Sequence, residues 1–213
     1  GYNDAIFMKG VRDNDGPHQN ASNIWFMALE DYLDDTDVLI CPACKQVQKY
    51  TNIYDQYTSW GPCGKAQSDW ASDSDHWVVD TDAQGIIGSL GLNAWVYDLP
   101  EEQAGNSSNM YWRTADVRQA ADIPVLMDSK WFQGRPRVTD DAPELPQLWS
   151  WGRTTGQMHK FCMDRHGAGT NALFMDMTVR KIGLKEELWH ARWHKNYKVN
   201  FPLPNWPEWL RKL

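Results

Sequence analysis

The chain has no excess of positive charge: 21 Lys and Arg against 28 Asp and Glu leave it at −7. That balance excludes nucleic-acid binding through a basic face, because phosphate neutralisation needs clustered cations. It has no run of 18 apolar residues, so nothing in it is built to span a membrane as a helix, and no stretch of it reads as a leader peptide. There is no glycine-rich phosphate loop, and no nucleophile on a recognisable elbow. No segment repeats, and no tract is of low complexity. Cysteine is sparse, with four in 213 residues.

What the chain does have is aromatic weight. Thirteen tryptophans in 213 residues, with 42% hydrophobic residues overall, describe a folded globular chain of one domain spanning 1–213. Tryptophan in this number fills cores, and it also lines interfaces and sugar-binding faces. Trp131, Trp149 and Trp151 stand in a proline-bearing stretch rather than in a periodic element. Exposed there, they would stack on pyranose rings, as in a carbohydrate-binding module; otherwise they cover a sheet edge.

Helical spacing of Ile24, Met27, Ala28 and Leu29 predicts a helix from about Asn20 to Asp34. Val38 to Ile40 reads as a short buried strand. From Gln46 to Ser74 no period holds, which predicts a long loop pinned by its aromatics. His76 to Val79 is a candidate strand. Gly85 to Tyr97 is the clearest strand, and its interior glycines point to a bulge or a close backbone approach. A helical turn capped by Thr114 or Asp116 precedes a strand over Ile123 to Met127. A helix over Lys185 to Lys195 and an extended proline-bearing tail with a last turn at Glu208 to Leu213 close the chain.

Several clusters carry possible chemistry. His190 and His194 have the i, i+4 spacing of zinc ligands, but a metalloprotease needs Glu where Ala191 stands. Asp80, Asp82, Gln84 and Gly85 match the first half of a calcium loop, whereas its twelfth position is Gly91 rather than a bidentate Glu. Cys41 and Cys44 have metal-ligand spacing, and Cys63 and Cys162 would complete four thiolates around zinc; the same four allow three disulfide pairings. His166, Asp128, Asp164 and Asp176 could form an acid–base group, but no nucleophile accompanies them. The simpler expectation is that His166 bonds a carbonyl or carboxylate and ties the loop around Gly167 and Gly169 to the hairpin beyond it.

That hairpin is the most telling stretch. Apolar runs at 172–175 and 179–182 flank a tight turn at Asp176, the pattern of two β-strands joined by a short turn. His166 and Asp176 are separated by nine residues, with Asn171 between them. This layout resembles the signature of the prepilin-type, processing-associated H-X9-DG proteins, exported pilin-like or pseudopilin-like proteins of planctomycete-type bacteria. Cys41-Pro42, the strand around Gly91 and Asn93, the strand ending at Asp128 and the tail around Trp206 and Trp209 are similar to further landmarks of that family, so the likeness covers roughly residues 38–213. Met177 departs from it, since the family has Gly after the Asp.

The resemblance implies an α+β fold: a pilin-like antiparallel sheet with flanking helices and long aromatic-rich loops. It implies a non-enzymatic structural subunit of a filament or secretion platform, outside the cell or in its envelope, associating with itself or with other pilin-like subunits. An N-terminal anchoring helix, by which alone such a protein meets the membrane, is then expected to have been removed from this soluble head. An exported setting favours disulfides among Cys41, Cys44, Cys63 and Cys162. Calcium supports the sheets of related secretion pseudopilins, which makes Asp73, Asp75, Asp80 and Asp82 the candidate ligands.

Overall fold

A computed structural model of the chain describes residues 25–29, 32, 35–44, 46–47, 58–63, 86–98, 105–144, 156–200 and 202–213. Its centre is a five-stranded sheet in the order β6-β4-β5-β7-β8, formed by β4 (Leu90–Asn93), β5 (Pro124–Asp128), β6 (Gln133–Gly134), β7 (Gly169–Phe174) and β8 (Val179–Gly183). A smaller sheet joins β1 (Gln46–Val47), β2 (Thr58–Cys63) and β3 (Ile86–Gly88) in that order. Three short helices are described, α1 (Trp25–Ala28), α2 (Glu186–His190) and α3 (Glu208–Arg211). This is an α+β arrangement with little helix. The expected antiparallel sheet is corrected to a mixed one, because β1 pairs with β2, and β4 with β6, in parallel. Among the described residues no helix is long and apolar enough to cross a membrane.

The hairpin forms as the sequence predicts. Ala172 pairs with Arg180 across β7–β8 and with Met127 across β5–β7. Its turn is not the two-residue type. Met177 N–H donates to the Phe174 carbonyl and Phe174 N–H to the Thr178 carbonyl, each at 2.9 Å. Three residues, 175–177, therefore close the hairpin, with Met177 alone at positive φ, +67°. Only one residue bears the left-handed conformation, so the departure from Gly costs about 1 kcal/mol rather than twice that. Asp176 Oδ1 accepts from Thr178 N–H at 3.0 Å and Thr178 Oγ1 at 2.7 Å, which fixes the turn locally. β8 is the edge strand, and exposed Arg180 and Lys181 on it discourage further pairing.

The clearest predicted strand is split. β3 and β4 are separated by Ser89, whose N–H donates to the Leu39 carbonyl at 2.8 Å and whose carbonyl accepts Ser129 N–H at 2.7 Å. A Cβ on Gly91 would lie 2.4 Å from the Trp131 carbonyl oxygen, so the glycine marks a close backbone approach, as its place in the strand suggests. Asn93 then ends β4. Its Oδ1 accepts Trp95 N–H at 3.2 Å, and its Nδ2 donates to the carbonyls of Pro124 and Trp193, both at 2.9 Å. The amide uses both protons to hold β5 and the C-terminal segment against the turn.

Other expectations are corrected. Residues 36–39 form a 3-10 turn rather than a strand, because Asp35 caps it by accepting Asp37 N–H, and Val38 is exposed. The stretch from Gln46 to Ser74 contains β1 and part of a sheet in β2, so it is not wholly loop. The helix at Lys185 stops at His190 instead of Lys195. Beyond it Arg192 N–H donates to the Asp122 carbonyl and Lys195 N–H to that of Met110, while Trp193 is fully buried. Tertiary hydrogen bonds and burial of one indole there outweigh the roughly one and a half further helical turns between His190 and Lys195. The Asn20–Asp34 helix is described only over Trp25–Ala28, and the His76–Val79 strand lies outside the described residues.

The tryptophans explain how so much irregular chain is held. Trp95, Trp189 and Trp193 are among the largest fully buried side chains. Their indole N–H groups reach the carbonyls of Pro136, Asp140 and Leu188 at 2.8–3.1 Å. Trp25, Trp112 and Trp209 donate in the same way to Phe132, Trp193 and Pro143. Each ring buries apolar area while its single donor reaches a carbonyl; that of Phe132 also takes Leu92 N–H in the β4–β6 pairing, and the other carbonyls lie outside the strand ladders. Asp140 does the converse job, its Oδ2 accepting the N–H groups of Arg137, Gln157 and Met158 at 2.8–3.0 Å.

Candidate functional site

Three polar side chains from distant parts of the chain meet beside the C-terminal end of β5. Asp128 is the last residue of that strand and its side chain is 2% exposed. The strand ends there because the chain turns away through Ser129, whose Oγ donates to the Lys160 carbonyl at 3.1 Å. His166 comes from the loop before β7, and Cys41 from the four-residue turn 41–44, closed by Cys44 N–H to the Cys41 carbonyl at 2.7 Å. His166 Nε2 lies 3.0 Å from Asp128 Oδ2 and 3.3 Å from Cys41 Sγ.

The carboxylate is the hub. Oδ1 faces Arg165 Nη1 at 3.3 Å, and the Arg165 side chain is fully buried. Arg165 also donates to the carbonyls of Ser89 at 2.9 Å and Ser129 at 3.3 Å. Oδ2 accepts the backbone N–H of Asn171 at 2.8 Å besides facing His166. A buried charge is tolerated where it is paired and hydrogen-bonded, and this one is both. Asp128 thereby binds the loop 165–166, the start of β7 and, through Arg165, the break at Ser89.

The loop itself is preshaped for this. Gly167 and Ala168 both adopt positive φ, +61° and +57°. Asp164 Oδ1 accepts Ala168 N–H at 2.6 Å, and Lys181 Nζ holds the Gly167 carbonyl at 2.7 Å from the neighbouring strand. Gly169 has no room for a side chain, since a Cβ would lie 2.9 Å from the Ile182 carbonyl oxygen.

The arrangement is not a nucleophile–base pair. An ionised carboxylate can only accept, so the proton between Asp128 and His166 belongs to Nε2. That same nitrogen faces Cys41, which leaves it no lone pair with which to take the thiol proton. In a Cys–His–Asp relay the thiol and the carboxylate use opposite ring nitrogens. Burial, first, and the Asp128 charge raise the pKa of Cys41, which keeps the sulfur protonated and unreactive. Burial also pushes Cys44 up to about 11 and Cys162 up to about 12.

The fold brings some of the sequence candidates together and separates the rest. His166 and Asn171 converge on Asp128, one through its ring and the other through its backbone. Asp176 sits at the far tip of the hairpin, and Asp164 serves the loop, so the four-residue acid–base group does not assemble. Cys41, Cys44 and Cys162 are free thiols, and the Cys63 side chain lies outside the described residues. Asp73, Asp75, Asp80, Asp82, Trp149 and Trp151 also lie outside them. Trp131 is 5% exposed and tilted against Phe132 at 5.0 Å, so it fills the core instead of presenting a face to a glycan. His190 is exposed at the end of α2, whereas His194 is past that helix and buried between Trp95 and Tyr197, at 5.2 and 5.1 Å. They do not share a helical face, which corrects the zinc-ligand spacing.

Sequence reasoning missed Cys41 as the partner of His166, 125 residues away, and Arg165 as the buried counter-charge. Among the described residues Cys41, Asp128 and His166 are the group whose donor atoms, all within 4.8 Å of one another, suit a metal ion. Compared with protein-family models, with curated proteins and with solved structures, the chain matches none of them.

Proposed function

We propose that this chain is the head of an exported, pilin-like or pseudopilin-like subunit, with a mechanical and adhesive role in place of a catalytic one. One observation carries the reading: the hairpin bearing the His166–Asp176 spacing is built into the main sheet, and His166 is committed to the Asp128 hub. The imidazole then serves architecture, clamping the approach to β7 onto the end of β5. Two further points agree with it. Asp128, Asn93 and Cys41, which stand where the resemblance places family landmarks, hold the break, the strand end and the loop around this clamp. A head held by such clamps resists deformation, as a subunit of a filament or secretion platform must. The head works through contacts with its own kind or with other pilin-like subunits.

The test is to recover the protein from the cells that encode it and to determine its mature N-terminus by mass spectrometry in each cell fraction. The reading expects the envelope or surface fraction, with an apolar helix preceding residue 1 and a prepilin-type leader removed before it. Recovery from the cytosol, with no such helix encoded upstream, would overturn it.

A further inference from the structure

We propose that Cys41 Sγ, Asp128 Oδ2 and His166 Nε2 form a binding site for one zinc-type divalent cation. The site goes beyond the subunit reading and does not rest on it. Its basis is convergence: three different donor types, from three separate segments, lie within 4.8 Å of one another, and one imidazole nitrogen is 3.0 and 3.3 Å from the other two. A proton on that nitrogen can serve only one of them, whereas a cation serves all three. Tetrahedral zinc with ordinary bond lengths separates sulfur from nitrogen by about 3.6 Å and nitrogen from oxygen by about 3.3 Å. Each pair therefore opens by only about 0.3 Å to admit the ion.

The surroundings fit a metal site. Arg165 and the Asn171 N–H orient the carboxylate, as hydrogen-bonded outer partners do for ligating carboxylates. Oδ2 keeps capacity for a ligand bond, because the Arg165 guanidinium sits on Oδ1. The His166 side chain is 24% exposed, which gives an ion a way in and leaves a fourth position for water. Thiolate and imidazole select zinc or cobalt over calcium or magnesium, which require all-oxygen sets. On binding, the thiol proton leaves to solvent and the imidazole proton moves to Nδ1, so that bonds from Sγ, Nε2 and Oδ2 to the cation replace the proton-mediated contacts among them. The cation would staple the 41–44 turn, the end of β5 and the approach to β7 together.

The experiment titrates the full chain, reduced with a phosphine, with zinc alone against a chelating indicator, and separately with cobalt. One equivalent of zinc is expected, with a thiolate-to-cobalt charge-transfer band. Cys44→Ser removes the thiol that could divert Cys41 into a disulfide and is expected to bind as the unaltered chain does. His166→Gln keeps a donor to Asp128 but removes the imidazole, and it should weaken zinc by at least about tenfold. Cys41→Ser should weaken zinc by at least about tenfold as well, and should it fail to fold, alkylation of the unaltered chain replaces it: zinc should slow modification of Cys41 relative to chelator-treated protein. No saturable zinc in either the unaltered chain or Cys44→Ser overturns the proposal. So does undiminished binding by His166→Gln, or a Cys41 alkylation rate indifferent to zinc; the group would then be a hydrogen-bonded junction only.

Discussion

Replacing Asp128 by Asn tests the hub with the least change in shape. The two side chains are nearly isosteric, so no cavity term enters. What changes is charge and donor pattern. Arg165 loses its counter-charge while its side chain stays fully buried, and removing one member of a buried pair costs about 3–5 kcal/mol. The Asn amide also has one acceptor where the carboxylate has two. If its oxygen serves Asn171 N–H and His166, its NH2 points at Arg165; turned over, it points at two donors instead. Either way a donor is orphaned. Arg165 retains the carbonyls of Ser89 and Ser129, which holds the expected loss near the lower figure, about 3 kcal/mol. In a urea titration with a slope of about 2 kcal/mol/M, the midpoint should fall by about 1.5 M with the slope unchanged. A loss below about 1 kcal/mol would mean that Asp128 and Arg165 are solvated in the folded chain, and the hub would not be one.

Met177→Gly should stabilise the fold by about 0.5–1 kcal/mol, because Met177 sits at φ +67° and the residue is 59% exposed, so little contact is lost; an unchanged or lower urea midpoint refutes this. His194 supplies a pH dependence. Burial, with Arg137 nearby, lowers its pKa to about 4, against an ordinary value of 6.5. Between those values the unfolded chain binds a proton that the folded chain refuses, so stability falls as pH drops from 6.5 towards 4. Allowing for partial water access, that is about 2 kcal/mol, and burial of His159 pushes the same way. His194→Gln should show a flatter urea stability profile between pH 7 and 4.5 than the unaltered chain, and parallel profiles would contradict the assignment.

Local chemistry was readable where it decided the outcome. The β7–β8 hairpin, the strand ending at Asp128 and the final turn at Glu208 come from short apolar runs, turn residues and prolines, all of which act within a few positions. Gly91 announced a close approach for the same reason. The failures are non-local. Nothing in the residues near Gln133 announces a parallel pairing with β4, and nothing near Val38 announces that Ser89, not a strand partner, takes up the Leu39 carbonyl. The helical period that starts at Lys185 continues through Trp193, while the hydrogen bonds that end the helix go to Asp122 and Met110. The site was half readable. A strand-end Asp, a Cys-Pro and a His in a glycine loop are each a metal-ligand residue type at an isolated position, but only the fold brings Cys41 to His166.

Asp128 and His166 must act as one unit if the clamp is real, and a double-mutant cycle measures that directly. Unfolding free energies of the unaltered chain, Asp128→Ala, His166→Ala and the double variant give the coupling between them. In chelator-treated, reduced protein the coupling should be about 1 kcal/mol or more, because the contact is 3.0 Å and the carboxylate is buried. Additive losses, with a coupling within about 0.3 kcal/mol of zero, would contradict the claim that this histidine holds the fold together.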